Sequence, residues 1–501
     1  MAYLMGIDLG TSSLRAGIYR DNGSCAGIAS RGYGIDIPSP GFAEQRPETW
    51  WSAACGTIWE ALTKAGIRGD ELAGISFSGQ MHGTVLLDRY HDPVCPAIIW
   101  ADSRSSDICE ELEEIIGHDR LRKVLMNRIF PGTQAATVSW LMRHERDTWN
   151  HVRRILAPKD YLRWRMCGLF NTEPTDASAT LLFDVGLREW SKEVLEALSV
   201  PVEYLPFMVN SDQYIGETEG IEEETGIPDG VTVILGGGDQ PCAALGNGVI
   251  DEGSLLVTIG TGGQLFAPTT APKQSPGLAL NTFCHLPASR WYVMGATLSA
   301  GLSLKWFRDA FHPGTDFDTL TAEAETVPAG SDGLQFLPYL NGRRSPSPDP
   351  SAAGSFTGIG LIHSRGHYVR AILEGVAYEL RENLDVMKGL GISPGSVIFS
   401  GGASRSDLWS RIIADVFNLP VSVSGREEPS CFGAALTAGV GTGVYADWHE
   451  AANKVDRSSR TFEPEPGVVD IYRERYAFYV KELQAQTNLA DITSESQDPP
   501  E

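Results

Sequence analysis

The chain has 501 residues, and because single hydrophobic cores stop growing at roughly 250 to 300 residues, two large domains are expected. Its 64 acidic residues outnumber 40 basic ones for a formal charge of -24, which opposes nucleic acid and anionic membranes as partners. Cysteines 25, 55, 95, 109, 167, 242, 284 and 431 form no CxxC pair, no run approaches the roughly 18 apolar residues of a membrane span, and the start lacks a secretory pattern, so a cytoplasmic protein with reduced thiols is expected.

The opening stretch GIDLGTSSLRAGIY, continuing through a turn at Asp21-Asn22-Gly23, predicts a meander of three strands. PETWWSAACGTIWEALTKAG then spaces Trp50, Trp51, Ala54, Ile58 and Leu62 as a helix face, with Pro47 at the first turn and Gly66 past the last. LAGISFSG returns as a strand. In the second half, SLLVTIGTGGQLFA repeats the strand, Gly-Thr turn and strand of the start, with Thr261 standing where Thr11 stood, and a duplicated architecture follows. HYVRAILEGVAYELRENLDVMKG places Val369, Leu373, Val376, Leu380, Leu384 and Met387 on one helical stripe, read as core. The alternation of strands and amphipathic helices defines an α/β protein. A boundary near residue 246 separates the halves, and the polar, acidic, proline-containing end, 485–501, is expected to be disordered.

Chemistry concentrates in the turns that follow these strands. Gly10-Thr11-Ser12-Ser13 offers backbone N–H groups and hydroxyls to an anion without adding a full positive charge. Asp8, just before it, would repel a bare phosphate but suits one bridged by Mg²⁺. Gly260-Thr261-Gly262 is a second such turn, so two hairpins can grip a triphosphate; the alternative is a pair of ordinary polar turns. In LGGGDQPCAALGNG, Asp239 ends an apolar strand at the domain junction and is a candidate general base, or else an N-cap for its own helix. Gln80, Met81 and His82 of SGQMHG suit a polyhydroxylated ligand. Trp100, Asp102 and Arg104 suit a sugar pocket or a plain surface ion pair. Gly401-Gly402-Ala403, between a strand and a helix starting near Ser406-Asp407, can accept a flat base or a phosphate.

As a set these residues resemble the FGGY carbohydrate kinases, a branch of the actin-like ATPase superfamily. The similarity runs through GFAEQRPETWW, PKDYLRWRMCG, TDASATLLFDV, PYLNGRR, EGVAYELRENLDVM and SGGASRSDLWSRIIADVFNLPV as well as the turns above. It implies two ribonuclease-H-like domains around an interdomain cleft, 1–246 holding sugar and base and 247–484 holding nucleotide. ATP with Mg²⁺ is then the phosphoryl donor and a sugar hydroxyl the acceptor. By the same resemblance Asp239 is the catalytic base, and Gln80, Met81, His82, Trp100, Asp102, Asp239 and Gln240 surround the sugar. Asp8 orients the metal through water, with Asp239 beside it. Thr11, Ser12, Ser13 and Arg15 meet the terminal phosphates, and Gly260, Thr261, Gly301, Lys305, Gly401, Gly402 and Ala403 lie on the nucleotide side. The Gln-Met-His turn favours a ketopentose, xylulose ahead of ribulose, over glycerol, whose kinase has an Arg-Glu pair there.

Three segments depart from that pattern. PGTQAATVSW lacks a lysine found in relatives, GRRSPSPDP stands where they read closer to GERTPHNDP, and REEPSCFGAAL replaces a small, glycine-rich lead with charge and bulk. These bear on the exact sugar and the adenine contacts. A chaperone-like or filament-forming ATPase would share the hairpins but needs no SGQMHG, and a sugar-sensing regulator would need a DNA-binding segment. A homodimer stays open.

Overall fold

The structure, a computed structural model, describes residues 2–456 and 460–495, with side chains through 486. The first lobe is built on β1 (Tyr3–Leu9), β2 (Ser13–Arg20), β3 (Cys25–Gly32), α1 (Pro47–Ala65), β4 (Leu72–Gly79), α2 (Pro158–Cys167), α3 (Pro174–Ala179), β5 (Tyr214–Glu217), β6 (Thr232–Ile234), β7 (Gly237–Gly238) and α4 (Asp239–Gly246). Its sheet runs β5-β6-β4-β1-β2-β3, with β7 paired to β4. The second lobe holds β8 (Ser254–Ile259), β9 (Gly263–Thr269), β10 (Asn281–Cys284), β11 (Trp291–Thr297), α5 (Gly301–Phe311), α6 (Arg365–Gly389), β12 (Ser396–Ser400), α7 (Asp407–Phe417), β13 (Val421–Val423), α8 (Pro429–Gly441), β14 (Thr461–Phe462) and α9 (Pro466–Glu495). Its sheet runs β10-β11-β9-β8-β12-β13-β14.

The two sheets share one plan. In each, a central strand (β1 or β8) pairs antiparallel with the next strand through a tight Gly-Thr turn. On its other side it pairs parallel with a strand reached through a helix. That duplication puts both turns, and the following βα connections, at the carboxyl ends of parallel strands, where open α/β sheets bind ligands.

Local signals explain why these segments form. Helix α1 opens on Pro47 and stops at Gly66, whose φ of 68° only glycine adopts freely. It buries Trp50, Trp51, Ala54, Ile58 and Leu62 against the first sheet, each large side chain contributing about 1.5–3 kcal/mol. Helix α6 buries its predicted stripe, Val369 to Met387, in the second core.

Helix α8 departs from a simple division at residue 246. It returns from the second half of the sequence to lie on β1 and α4, with its Phe432 ring 4.8 Å from Tyr19. The backbones touch: a Cβ on Gly433 would stand 1.9 Å from the Cys242 carbonyl oxygen, and one on Gly6 would stand 2.0 Å from that of Cys431. Residues after α8, including Tyr445 and Ala451, join the same cluster as Leu4 and Leu245, so 429–455 pack with the first lobe. This contact joins residues about 190 apart, which no periodicity can register.

Helix α9 also corrects an expectation. It stays helical through Glu495, because Leu, Gln, Ala and Glu favour a helix once Tyr472 and Tyr479 anchor it in the second core. Of the segment expected to be disordered, residues 496–501 lie outside those described. All eight cysteines are free. Among the described residues no helix is long and apolar enough to cross a membrane.

Candidate active site

Asp8 ends β1 where the registers place Arg15 of β2 on one side and Ser78 of β4 on the other. Ser78 donates to Asp8 Oδ1 at 2.8 Å, and Arg15 Nη1 stands 3.8 Å from Oδ2. The carboxylate is only 6% exposed, and burial outweighs both partners, raising its pKa above the usual carboxylate range. Arg15 is drawn away from it by Glu428, 2.7 Å from Nε. Glu428 belongs to the charged segment that departs from the family pattern, and nothing in its local sequence pairs it with Arg15.

Asp239 is delivered by β7, whose Gly237 and Gly238 register against Ser78 and Gly79. The cap of helix α4 is Gly238, without a side-chain bond, so Asp239 does not serve as the helix's own cap. Its pKa is pushed up to about 7, first by burial and then by the neighbouring charge of Asp8, against hydrogen bonds from Gln240. Gln240, expected at the sugar, therefore acts on Asp239 itself. Two carboxylates at the ends of the strands that flank β4, both with raised pKa values, make a site short of positive charge.

The first turn is closed by Gly10 N–H donating to Ser13 O at 3.0 Å. Thr11 Oγ1 accepts from Trp100 Nε1 at 2.8 Å and donates to Gln80 Oε1 at 3.2 Å. Gln80 passes an amide hydrogen to Gln45 Oε1 at 3.1 Å, and Gln45 Nε2 returns to the Thr11 carbonyl at 2.7 Å. Gln80 was expected to face the sugar. It is instead buried, with both ends of its amide engaged in bracing the hairpin. Gln45, inside GFAEQRPETWW, went unrecognised because a lone amide carries no spacing signal. Ser12 is exposed at the tip of the turn.

Met81 lies directly on the strand carrying Asp239: a Cβ on Gly238 would come within 2.7 Å of its Cγ. The next residue, His82, adopts φ 72°, and its Nδ1 is 2.8 Å from the Ala179 carbonyl, the geometry of a donated bond that leaves Nε2 as acceptor. Burial pushes its pKa down to about 4, so the imidazole is neutral. His82, Trp100, Phe130, Met294 and Leu298 line a cleft of about 700 Å³ between the lobes. Asp102 also lines it, yet both its oxygens are committed: Oδ2 accepts from Ala43 N–H at 2.7 Å, and Arg104 bonds both oxygens at 3.0 Å. Of the two readings of Asp102 the ion pair prevails, and it is buried because Arg104 also holds Glu44 at 2.6 Å.

Across the cleft, the second turn is tied down by Gly301 N–H to Gly260 O at 3.1 Å and Leu302 N–H to Thr261 O at 3.0 Å. A Cβ on Gly301 would lie 2.2 Å from Gly260 O, so helix α5 starts in backbone contact with the turn. Gly401 takes φ 88° against Ile259, while Gly260 and Gly402 have open space where a side chain would be. The backbone of Leu298 lies near Gly262, as Trp100 is bonded to Thr11, so both turns border the same cleft. Lys305 does not reach the turn: half-exposed, it pairs with Asp309 at 2.6 Å, one helical turn away on α5.

Behind Asp239 sits a fully buried charged cluster that sequence reading missed, because charges on helix α2 give no apolar periodicity. Lys159 Nζ is 2.8 Å from Asp160, 3.3 Å from Asp176 and 3.6 Å from Glu173. Glu173 caps helix α3 through the N–H groups of Thr175 and Asp176. Thr175 Oγ1 accepts the N–H of Gly238 at 2.8 Å, so the cluster anchors the residue just before Asp239. With three carboxylates facing Lys159 and Arg163, burial raises the Asp176 pKa well above the ordinary carboxylate range.

Two duplicated lobes that each turn a Gly-Thr hairpin toward one cleft have the architecture of a phosphotransferase. The chain belongs to the FGGY family of carbohydrate kinases: residues 3–246 match its N-terminal domain and residues 255–442 its C-terminal domain. It is 36% identical to the xylulose kinase of Lactococcus lactis over 98% of each chain and 33% identical to that of Bacillus subtilis over 96% of each. The crystal structure of a xylulose kinase from Rhodospirillum rubrum, 27% identical, superposes with a TM-score of 0.91 over 97% of this chain and 99% of that one.

Proposed function

We propose that this sugar kinase transfers the γ-phosphate of ATP to a hydroxyl of xylulose, with Asp239 as the base. The observation that carries this reading is the Asp239 carboxyl, raised to about 7 by burial and by the charge of Asp8, directly after Gly238, which packs against Met81. The acceptor's oxygen attacks the γ-phosphorus as the bond to the β-phosphate oxygen breaks. The hydroxyl proton passes to an Asp239 oxygen, and ADP leaves with the bridging electron pair. A base near neutral pKa suits this late proton transfer.

Asp8 and Asp239 fit Mg²⁺. They are hard oxygen donors at the ends of the two strands that flank β4, deficient in cation because Arg15 leans to Glu428. No group of three or more metal-ligating side chains occurs among the described residues, as expected where phosphates and water complete the shell. Bound there, the ion supplies charge neutralisation to the phosphates. The turn at Gly10–Ser13 and its partner at Gly260–Gly262 hold the triphosphate ends, and Met81 and His82 hold the sugar. The alternative acceptor is ribulose or a related ketose.

The test is ADP release over a panel of pentuloses, hexuloses, glycerol and gluconate. Xylulose is expected to give the highest kcat/KM. A faster second ketose with inert xylulose would move the substrate while leaving the kinase in place.

A further inference from the structure

We propose that Glu428 is a positioning residue of the phosphate site: it draws the guanidinium of Arg15 off Asp8, leaving the Asp8 carboxylate open to Mg²⁺ and Arg15 at the edge of the first turn. This rests on the Mg²⁺ reading above and deepens it. Arg15 lies beside that turn, since a Cβ on Gly10 would stand 3.7 Å from its Nη1. It is shared unequally, with Glu428 2.7 Å from Nε and Asp8 3.8 Å from Nη1.

The backbone fixes Glu428 where it can do this. It stands at the N-cap of helix α8, yet its side chain makes no cap bond. Arg426, two residues earlier, is turned onto the Phe432 ring, its Cζ 3.8 Å from the centre, and leaves the Glu428 carboxylate to Arg15. The start of α8 is also bolted to the segments that carry the two catalytic-site acids. Ser430 Oγ donates to the Asp239 carbonyl at 3.3 Å, and Cys431 Sγ to the Gly6 carbonyl at 3.2 Å.

The side chains of Arg15 and Glu428 are 28% and 35% exposed, and ion pairs that reach solvent are weak. Arg15 therefore changes partner readily, and the balance between Glu428 and Asp8 decides which carboxylate holds it. The charge of Asp8 reaches Glu428, so the two acids compete for one guanidinium. Without the Glu428 charge Arg15 turns to Asp8, because a guanidinium bonds an ionised acceptor more strongly than an amide. Asp8 is then neutralised from within the protein, and a phosphate arriving at the turn needs less help from a metal ion.

The experiment is calorimetry of ADP binding to the full-length protein, once with EDTA and once with saturating Mg²⁺, so that neither sugar nor turnover enters the readout. In wild type Mg²⁺ should tighten ADP. In Glu428→Gln metal-free ADP should bind about three- to tenfold more tightly, and the gain from Mg²⁺ should shrink by a similar factor. Glu428→Asp, one methylene short, should fall between. Two controls separate a partner from a bare charge. Glu427→Gln removes the exposed acid next door and should shift neither value by more than about twofold. In an Arg15→Met background Glu428→Gln should lose its effect. An unchanged Mg²⁺ gain in Glu428→Gln, an equal shift in Glu427→Gln, or a full effect without Arg15 overturns the proposal. Wild type that gains nothing from Mg²⁺ would instead count against the metal reading, with the metal-free arm still deciding the role of Glu428.

Discussion

The charge of Asp8 adds to burial in raising the pKa of Asp239, which holds its proton up to about pH 7. The ionised form accepts the hydroxyl proton, so activity that depends on it is present above that pKa and lost as the pH falls through it. In metal-free protein, carbon NMR of the labelled Asp239 carboxyl should titrate with a midpoint near 7. In Asp8→Asn the midpoint should move downward, because the one neighbouring charge that raises it is gone while burial remains. A midpoint near the ordinary 3.9 in the wild type would contradict the arrangement.

The cluster behind Asp239 makes an asymmetric prediction. Lys159→Met leaves Asp160 and Glu173 buried without their cation and should cost about 3–5 kcal/mol, visible in urea unfolding. Asp176→Asn changes a carboxyl whose pKa burial raises, so it carries less of the ion pairing and should cost less than Lys159→Met in the same measurement. Equal losses for both variants would contradict that asymmetry.

The crossing of α4 and α8 allows no side chain. Gly433→Ala puts a methyl 1.9 Å from a backbone oxygen that cannot rotate away, so overpacking of about 1–3 kcal/mol is expected, with Tm lowered by at least about 2 °C. Calorimetry measures it; an unchanged Tm would show that the two helices can slide apart without loss.

Much of this was legible in the sequence where a signal was local. Pro47 and Gly66 punctuate α1, Val369 to Met387 keep helical spacing, and Thr11 and Thr261 sit in like turns, so the duplicated sheets could be anticipated. Asp8 and Asp239 stood out because carboxylates interrupt apolar strands. What stayed hidden depends on partners far along the chain: Glu428 on Arg15, Gln45 on Thr11, and Thr175 on Gly238. Gln80, Asp102 and Lys305 are engaged by Gln45, Arg104 and Asp309, partners that residue type alone does not reveal.

The most direct measurement is turnover of Asp239→Asn, an isosteric change that keeps the shape of the cleft and removes the proton acceptor. ATP and xylulose should bind within about threefold of wild type, while kcat falls at least about a hundredfold. A variant that turns over at the wild-type rate would contradict the role of Asp239 and, with it, the chemistry assigned to the cleft.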